Sequence, residues 1–244
     1  MYVIYGINTI QTLLNYNYKY FNNVLISKKN NKRIKIIIDK LNFLKIQISF
    51  VNEKLINKIV GNVVHQGILA YVNKKKYVDK LFLTNLINTK NKLLLILILD
   101  SIIDPHNLGS CLRSAYSANV DLIIIPKYNS VKLNSTVYKV SSGAANIIPI
   151  LKVSNLNNVI KVLKNKGIKI IGTDDKSNNI LYKSNLNKSL ALVIGSESYG
   201  MRNSIYHNCD EVINIPTRND MTSINLSVAT GIILFEIVRQ RNLF

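Results

Sequence analysis

Short apolar runs alternate with stretches of helical periodicity over the first 72 residues. Strand-like runs occupy residues 24–26, 46–51 and 67–72, and the second of these alternates with a period of two. Between them, apolar side chains at 34, 37, 38 and 41 recur at the spacing of one helical face, and a second helical pattern covers 55–59. The pattern predicts a small α/β domain.

A different pattern begins at Leu93, where seven aliphatic residues follow one another without alternation. Such a run is typical of a central parallel strand that is covered on both faces. Similar strands are predicted at 122–125, 168–171, 190–194 and 212–215, with helices at 156–163 and 224–239. Strands that alternate with helices favour a parallel α/β sheet. In the last helix, Ile224, Val228, Ile232 and Phe235 lie along one side.

The two patterns imply two domains joined by a polar, asparagine-containing stretch. We expect a first domain at 1–73, a linker at 74–91 and a second domain at 92–244. Within the linker, residues 81–87 retain enough apolar periodicity for a short helix.

The charge balance is strongly basic, with 32 Lys and Arg against 13 Asp and Glu, a formal net charge of +19. A bias toward AT-rich codons would explain part of the lysine content, since Asn, Ile and Tyr are also abundant. It does not explain the scarcity of acidic residues. A polyanionic partner, and nucleic acid above all, is therefore favoured.

The two cysteines, Cys111 and Cys209, stand far apart and form no metal-binding pattern with the three histidines. That usage fits the reducing cytoplasm and predicts no metal site. The longest aliphatic run is far shorter than the roughly 20 residues of a membrane span. The amino terminus lacks the pattern of a secretion signal, so we expect no membrane or export role.

Three segments carry candidate chemistry. They are Asp104-Pro-His-Asn-Leu-Gly-Ser-Cys-Leu-Arg113, Gly195-Ser-Glu-Ser-Tyr-Gly-Met-Arg202 and Ile215-Pro-Thr-Arg-Asn-Asp-Met-Thr-Ser-Ile-Asn225. The second is not a P-loop, because Met201 and Arg202 stand where Lys and Ser or Thr are needed. A bare Gly195 after a strand would let a flat ligand approach the backbone. Asn107 is expected to cap the helix through Arg113.

Together these segments resemble the three motifs of the SPOUT class of S-adenosylmethionine-dependent RNA methyltransferases, and more narrowly the TrmH/RlmB ribose 2'-O-methyltransferases. The resemblance implies a parallel sheet whose carboxyl end is threaded into a deep trefoil knot. Tyr5-Gly-Ile-Asn-Thr-Ile10 and Val64-His-Gln-Gly-Ile-Leu-Ala70 look like the ends of the L30e-like RNA-binding domain of some members. The resemblance also implies a homodimer packed through the knot region.

The resemblance further implies which residues form the site. S-adenosylmethionine would be held largely by main chain around Thr173, Gly195, Ile215 and Ile224. The catalytic set would be Asn107, Arg113, Glu197, Ser223 and Asn225.

Ribose hydroxyls are poor nucleophiles, so the enzyme must align the oxygen and accept its proton. Arg113 is the family's candidate proton acceptor. A guanidinium is normally always charged, so orientation of the hydroxyl and a neighbouring phosphate is an equal alternative. Glu197 is expected to pair with Arg113 or Asn107. Ser223 and Asn225 would open the last helix, where they could cap it and also bind a carboxylate or phosphate.

By likeness, the expected reaction is 2'-O-methylation of a guanosine in the peptidyl-transferase P loop of 23S rRNA. A tRNA guanosine methyltransferase is the enzymatic alternative, and the L30e-like domain favours the ribosomal target. A third hypothesis is an RNA-binding ribosome-assembly factor that has lost catalysis. One loop departs from the family, since Thr217-Arg218-Asn219 stands where relatives have Met-x-Gly after Ile-Pro. Asn tolerates left-handed backbone, so the turn is expected to survive.

Overall fold

A computed structural model describes residues 1–28, 32–73, 75, 77–89, 92–218 and 223–242. The chain separates into two compact units, Met1–Lys76 with Leu133–Ile147, and Tyr77–Lys132 with Ile148–Phe244. Within the described ranges, no helix combines the length and the hydropathy that a membrane span requires.

The helices and strands alternate along the chain in both units. The strands are β1 (Tyr2–Tyr5), β2 (Phe21–Ser27), β3 (Gln47–Val51), β4 (Ile68–Val72), β5 (Leu95–Leu99), β6 (Leu122–Pro126), β7 (Ile150–Val153), β8 (Lys169–Thr173), β9 (Leu190–Ile194) and β10 (Glu211–Ile213). The helices are α1 (Ile7–Tyr16), α2 (Lys32–Phe43), α3 (Glu53–Val60), α4 (Lys80–Ile87), α5 (Pro105–Ser117), α6 (Ser135–Val140), α7 (Ala144–Ile147), α8 (Leu156–Asn165), α9 (Asn203–Tyr206) and α10 (Leu226–Gln240).

The first unit is built on a four-stranded sheet in the order β1-β4-β2-β3. β4 runs antiparallel to both β1 and β2, whereas β2 and β3 are parallel. The face of α2 predicted from its spacing is confirmed, since Ile34, Ile37 and Leu41 are buried. On α3 only Ile56 is fully buried, while Ile59 and Val60 are partly buried and pack against the same core.

The first unit also contains Leu133–Ile147, which sequence reasoning assigned to the second domain. Tyr138 of α6 stacks on Tyr2 with ring centroids 4.6 Å apart, and the Tyr2 hydroxyl donates to Asn146. Burial beside Tyr138 raises the pKa of Tyr2. The segment contacts residues that are 70 to 144 positions away along the chain, and such contacts cannot be predicted from a local periodicity.

Lys75 falls in the stretch that the sequence suggested as a polar linker, yet its side chain is buried in the first unit. Its ammonium donates to the carbonyl oxygen of Ala145 at 2.8 Å. Burial lowers the pKa of Lys75 to about 7. A charge-bearing group is thus part of the packing between the amino-terminal chain and the 133–147 segment.

The pKa of Lys75 makes stability depend on pH. Between pH 7 and 10 the unfolded chain binds a proton at this lysine that the folded chain has released. The free energy of unfolding should therefore rise with pH, by up to about 1.4 kcal/mol per pH unit. Lys75→Met should lose this slope in urea unfolding measured from pH 6 to 10. Lys54→Met, which removes an exposed lysine of the same unit, is the control, and equal slopes for wild type and Lys75→Met would contradict the expectation.

The second unit contains a six-stranded sheet in the order β10-β8-β9-β5-β6-β7, with every neighbouring pair parallel. The parallel α/β prediction is confirmed. β5 and β9 are buried at every position, as their unalternating runs predicted. β10 ends at Ile213, two residues earlier than predicted, and β7 was not foreseen.

The predicted linker contains α4, which belongs to the second unit. Leu83 is part of that unit's buried core, and Phe82, Leu86 and Ile87 pack against it. Tyr77–Lys132, which includes α4, belongs to the second unit.

The strand order places a topological switch beside β9. The chain runs outward from β5 to β7, then returns to form β8 and inserts β9 between β8 and β5. Open parallel sheets bind ligands in the crevice at the carboxyl ends of strands near such a switch. Thr173, Gly195 and Asn214 lie at or directly after those ends in the second unit.

Candidate active site

A cavity of about 920 Å³ opens at the carboxyl ends of β8, β9 and β10. All four candidate cofactor residues line it, namely Thr173, Gly195, Ile215 and Ile224. Three of the catalytic candidates, Glu197, Ser223 and Asn225, line it as well. Residues of the second and third motifs therefore meet at one cavity within the second unit, whereas no residue of 104–113 is among its described lining residues.

The loop after β9 closes on itself as a tight hairpin. The backbone groups of Ser196 and Gly200 exchange hydrogen bonds of 2.9 and 3.0 Å, and the Ser196 hydroxyl accepts from the Tyr199 amide at 3.3 Å. A Cβ on Gly195 would overlap the backbone of Gly200 and Met201. The glycine is thus required by closure of the hairpin itself, a reason that the sequence interpretation, which invoked ligand approach, did not identify.

The start of α5 differs from the sequence prediction. Asp104, not Asn107, is the N-cap, and its carboxylate accepts from the amides of His106 and Asn107 at 3.2 and 2.9 Å. Pro105 fits the first helical position because its missing N–H would have no partner there. Asn107 therefore lies inside the first turn, and its side chain is free of capping.

The Asn107 side chain instead joins two other candidates. Its amide nitrogen donates to the carboxylate of Glu197, and its amide oxygen accepts from the Asn225 side chain at 3.2 Å. Asn225 is the N-cap of α10, where its oxygen accepts from the Ser227 and Val228 amides. The predicted capping role of Asn225 is confirmed, and Glu197 pairs with Asn107 rather than Arg113. Ser223 lies two residues before this cap.

Arg113 lies on α5 six residues after Asn107, with an exposed side chain. Among the described residues, Arg113 has no hydrogen-bond or ion-pair partner, and neither it nor Asn107 lines the cavity. The structure thus connects Glu197, Asn107 and Asn225 through hydrogen bonds and leaves the guanidinium open to solvent.

One important pair was missed by sequence reasoning. Asp100 directly follows β5 and is fully buried, and its carboxylate accepts from the Arg202 guanidinium at 2.7 and 3.2 Å. It also accepts from the Arg202 amide at 3.2 Å and from the Ser101 hydroxyl at 3.0 Å. The pair links the end of the 195–201 loop to the end of β5. The sequence feature that could have indicated this pair is an aspartate directly after a purely aliphatic strand.

The two cysteine thiols and the His65 imidazole are partly or fully buried. Burial raises the pKa of both Cys111 and Cys209 to about 12, so neither is a reactive thiolate. His65 is buried, and its ring nitrogens bond to the Asn57 side chain and the Gly67 amide, both at 3.0 Å. In the part of the chain that the structure describes, no three metal-ligating side chains cluster. His207 lines the cavity.

The apolar side of α10 proposed from the sequence is not the one that packs in the core. The buried apolar residues of this helix are Leu226, Ile233, Leu234, Ile237 and Val238. Val228 and Phe235 are instead 51% and 46% exposed. The helix is apolar on both sides, so its periodicity alone could not tell which side faces the sheet.

The loop at 217–219, where the sequence departs from the family pattern, is only partly described. Thr217 lines the cavity, whereas Asn219, where we expected left-handed backbone, lies outside the described residues.

Two protein-family models match this chain. Residues 94–235 match the model of the SpoU rRNA Methylase family, and residues 3–78 match a model described as RNA 2'-O ribose methyltransferase substrate binding. The chain belongs to the SpoU rRNA methylase family. This confirms the resemblance that the three motifs carried and makes the chain an RNA 2'-O-ribose methyltransferase by family.

Individual relatives agree with that membership. A 23S rRNA (guanosine-2'-O-)-methyltransferase, RlmB of Blochmanniella floridana, is 40% identical over 98% of this chain and 95% of its own length. The SpoU methyltransferase AviRb of Streptomyces viridochromogenes, solved with AdoMet, shares the fold at a TM-score of 0.79 and 19% identity, covering 99% of this chain and 91% of its own. An A. aeolicus TrmH/SpoU tRNA modifying enzyme reaches 28% identity and a TM-score of 0.57 over 67% of this chain and 84% of its own.

Proposed function

We propose that this protein transfers a methyl group from S-adenosylmethionine to the ribose 2'-hydroxyl of a guanosine in 23S rRNA. The 40% identity to an enzyme of that name over nearly the whole of both chains carries the proposal. The hydrogen-bonded set Glu197, Asn107 and Asn225 beside the cavity supports retained catalysis over a purely RNA-binding assembly factor. We place the target in the peptidyl-transferase P loop and the reaction in the cytoplasm.

The residues around the cavity fit the cofactor. Its volume of about 920 Å³ lies within the range of small-molecule sites. Main chain around Gly195 and Ile215 would hold the adenine and ribose, and Thr173 and Ile224 complete the walls. The carboxylates of Asp174 and Asp175, which line the same space, can accept from hydroxyl and ammonium groups. When bound, S-adenosylmethionine supplies an electrophilic sulfonium methyl group.

The chain's own residues must then position the ribose oxygen. Arg113 is exposed and available to contact RNA from α5. A guanidinium presents a planar set of hydrogen-bond donors and no acceptor, which favours a role in orienting the 2'-hydroxyl and an adjacent phosphate over that of a literal base. Glu197 fixes the amide of Asn107, and Asn225 fixes its oxygen, so the first turn of α5 is tied to the cavity wall. Ser223 offers a hydroxyl at the cavity for the same substrate.

The ribosomal target is preferred to tRNA because residues 3–78 match a substrate-binding model. The tRNA-modifying relative aligns with only 67% of this chain. We propose that this amino-terminal region is an L30e-like domain that selects the RNA. We also propose that the carboxyl end of the second unit forms the deep trefoil knot of SPOUT enzymes.

Ribose methylation mapped in rRNA and tRNA tests the proposed function. The chain would be expressed in a host that lacks the corresponding methyltransferases, with Arg113→Ala as the inactive control. We expect one new 2'-O-methylguanosine in the P loop of 23S rRNA. New 2'-O-methylation confined to tRNA would show that the substrate is tRNA rather than 23S rRNA. No new methylation in any RNA would favour the non-catalytic assembly factor.

We further propose a homodimer that packs through the exposed side of α10. Val228, Ile232 and Phe235 follow one another at helical spacing, and the first and last are about half exposed. Apolar groups arranged this way on one helix suit a protein interface rather than water.

Phe235→Asp should convert the dimer to a monomer, because a carboxylate would be buried without a partner in the interface. Sedimentation velocity at micromolar concentration would measure the change. Val162→Asp, at a similarly exposed apolar position on α8, is the control and should remain dimeric. A dimeric Phe235→Asp protein would place the interface elsewhere.

A further inference from the structure

Tyr199 is the most exposed large apolar or aromatic side chain among the described residues, at 90%. It lies at the tip of the 196–200 hairpin and lines the mouth of the candidate active site. Isolated exposed aromatic side chains are common on proteins and need no explanation. Tyr199 differs from them because it lies on a fixed hairpin at the candidate active site.

The hairpin holds Tyr199 in a defined place. Two backbone hydrogen bonds close the hairpin, and the Tyr199 amide itself donates to the Ser196 hydroxyl. On one side Glu197 is tied to Asn107, and beyond Gly200 the buried Met201 and the Asp100–Arg202 pair anchor the chain. A short, multiply fixed loop therefore presents an aromatic ring that packs on no core of its own.

The charges around the cavity indicate what the ring would contact. Three carboxylates line the cavity, those of Asp174, Asp175 and Glu197, and Lys176 is the lysine among the described lining residues. Such a surface does not attract phosphate. A nucleobase, by contrast, offers a π-face to an aromatic ring without needing a cation, and every base can do so.

We propose that Tyr199 is a stacking platform for a nucleobase of the RNA substrate, at or next to the methylated nucleotide. This rests on the proposed RNA methyltransferase function and adds a contact that holds the target beside Glu197 and Asn107. The adenine of the cofactor is also a purine, but a ring that is 90% exposed lies outside the enclosed part of the cavity, so the RNA base is the partner.

Steady-state kinetics and calorimetry on the full chain test the assignment. Tyr199→Ala should raise the KM for a 23S rRNA transcript about tenfold, the order expected for the loss of one base–aromatic stack. The Kd for S-adenosylmethionine should stay within twofold. Tyr199→Phe keeps the ring and should behave as wild type. Tyr182→Ala, at an exposed tyrosine of the same unit outside the cavity lining, is the matched control and should change neither constant.

Two results would overturn the assignment. If the KM of Tyr199→Ala for RNA stays within twofold of the wild-type value, Tyr199 does not stack on a base of the substrate. A rise in the S-adenosylmethionine Kd that matches the rise in KM would assign the ring to the cofactor instead. Filter binding of the transcript without turnover separates the two proposals. A wild type that binds RNA more tightly than Tyr199→Ala but methylates nothing would refute the proposed function and support the stacking contact.

Discussion

Arg113→Ala should nearly abolish methyl transfer, slowing it by about a hundredfold to a thousandfold, while the Kd for S-adenosylmethionine changes by no more than a few-fold. The cavity that would hold the cofactor is lined by the ends of β8, β9 and β10, and Arg113 is not among its described lining residues. Loss of a charged group that aligns a weak nucleophile costs on the order of 10²- to 10³-fold in rate. Calorimetry for the cofactor and a tritium-transfer assay with rRNA measure the two effects separately.

Two further variants sharpen that result. Arg113→Lys keeps the charge but not the planar fork, so it should recover little activity if two oxygens are held at once. Ser117→Ala changes an exposed residue one turn further along α5 and should be fully active. If Arg113→Ala turns over as fast as wild type, Arg113 has no role in the reaction.

Arg202→Met should destabilise the second unit by about 3 kcal/mol, because it leaves the buried Asp100 carboxylate without its cation. The aspartate is fully buried whereas the arginine side chain is half exposed, so most of the cost falls on the unpaired acid. The end of the 195–201 loop should also loosen and weaken cofactor binding. Urea unfolding and calorimetry would follow the two consequences.

Removal of both charges is the decisive control. The double variant Asp100→Asn/Arg202→Met should recover a large part of the lost stability, since no buried charge remains. Lys164→Met breaks the partly exposed pair with Asp210 and should cost less than about 1 kcal/mol. If Arg202→Met costs no more than Lys164→Met, the Asp100–Arg202 pair does not stabilise the loop.

The sequence by itself determined the class of the second unit and its principal strands. β5 and β9 are buried on both faces. The unalternating apolar runs at 93–99 and 190–194 predict this burial, because a strand with polar residues on one face would alternate. It also predicted that the second and third motifs lie side by side, since each follows a strand at the same edge of a parallel sheet, and both line the cavity. The candidate cofactor residues do meet at one cavity.

Local rules failed where two neighbouring residues could satisfy the same requirement. Asp104 and Asn107 are both good helix caps, and only the position of the first turn decides between them. On α10 both sides are apolar, so burial of Ile233 and exposure of Phe235 depend on where the sheet lies.

Only the tertiary structure decided the pairings between distant positions. Glu197 and Asn107 are 90 residues apart, Asn225 and Asn107 are 118 apart, and Asp100 and Arg202 are 102 apart. Leu133–Ile147 joins the first unit through contacts with Tyr2 and Lys75, although the chain on either side of it belongs to the second. Periodicity and capping report on neighbours within a few residues, whereas these contacts exist because the crossovers of the sheet bring remote segments to one place.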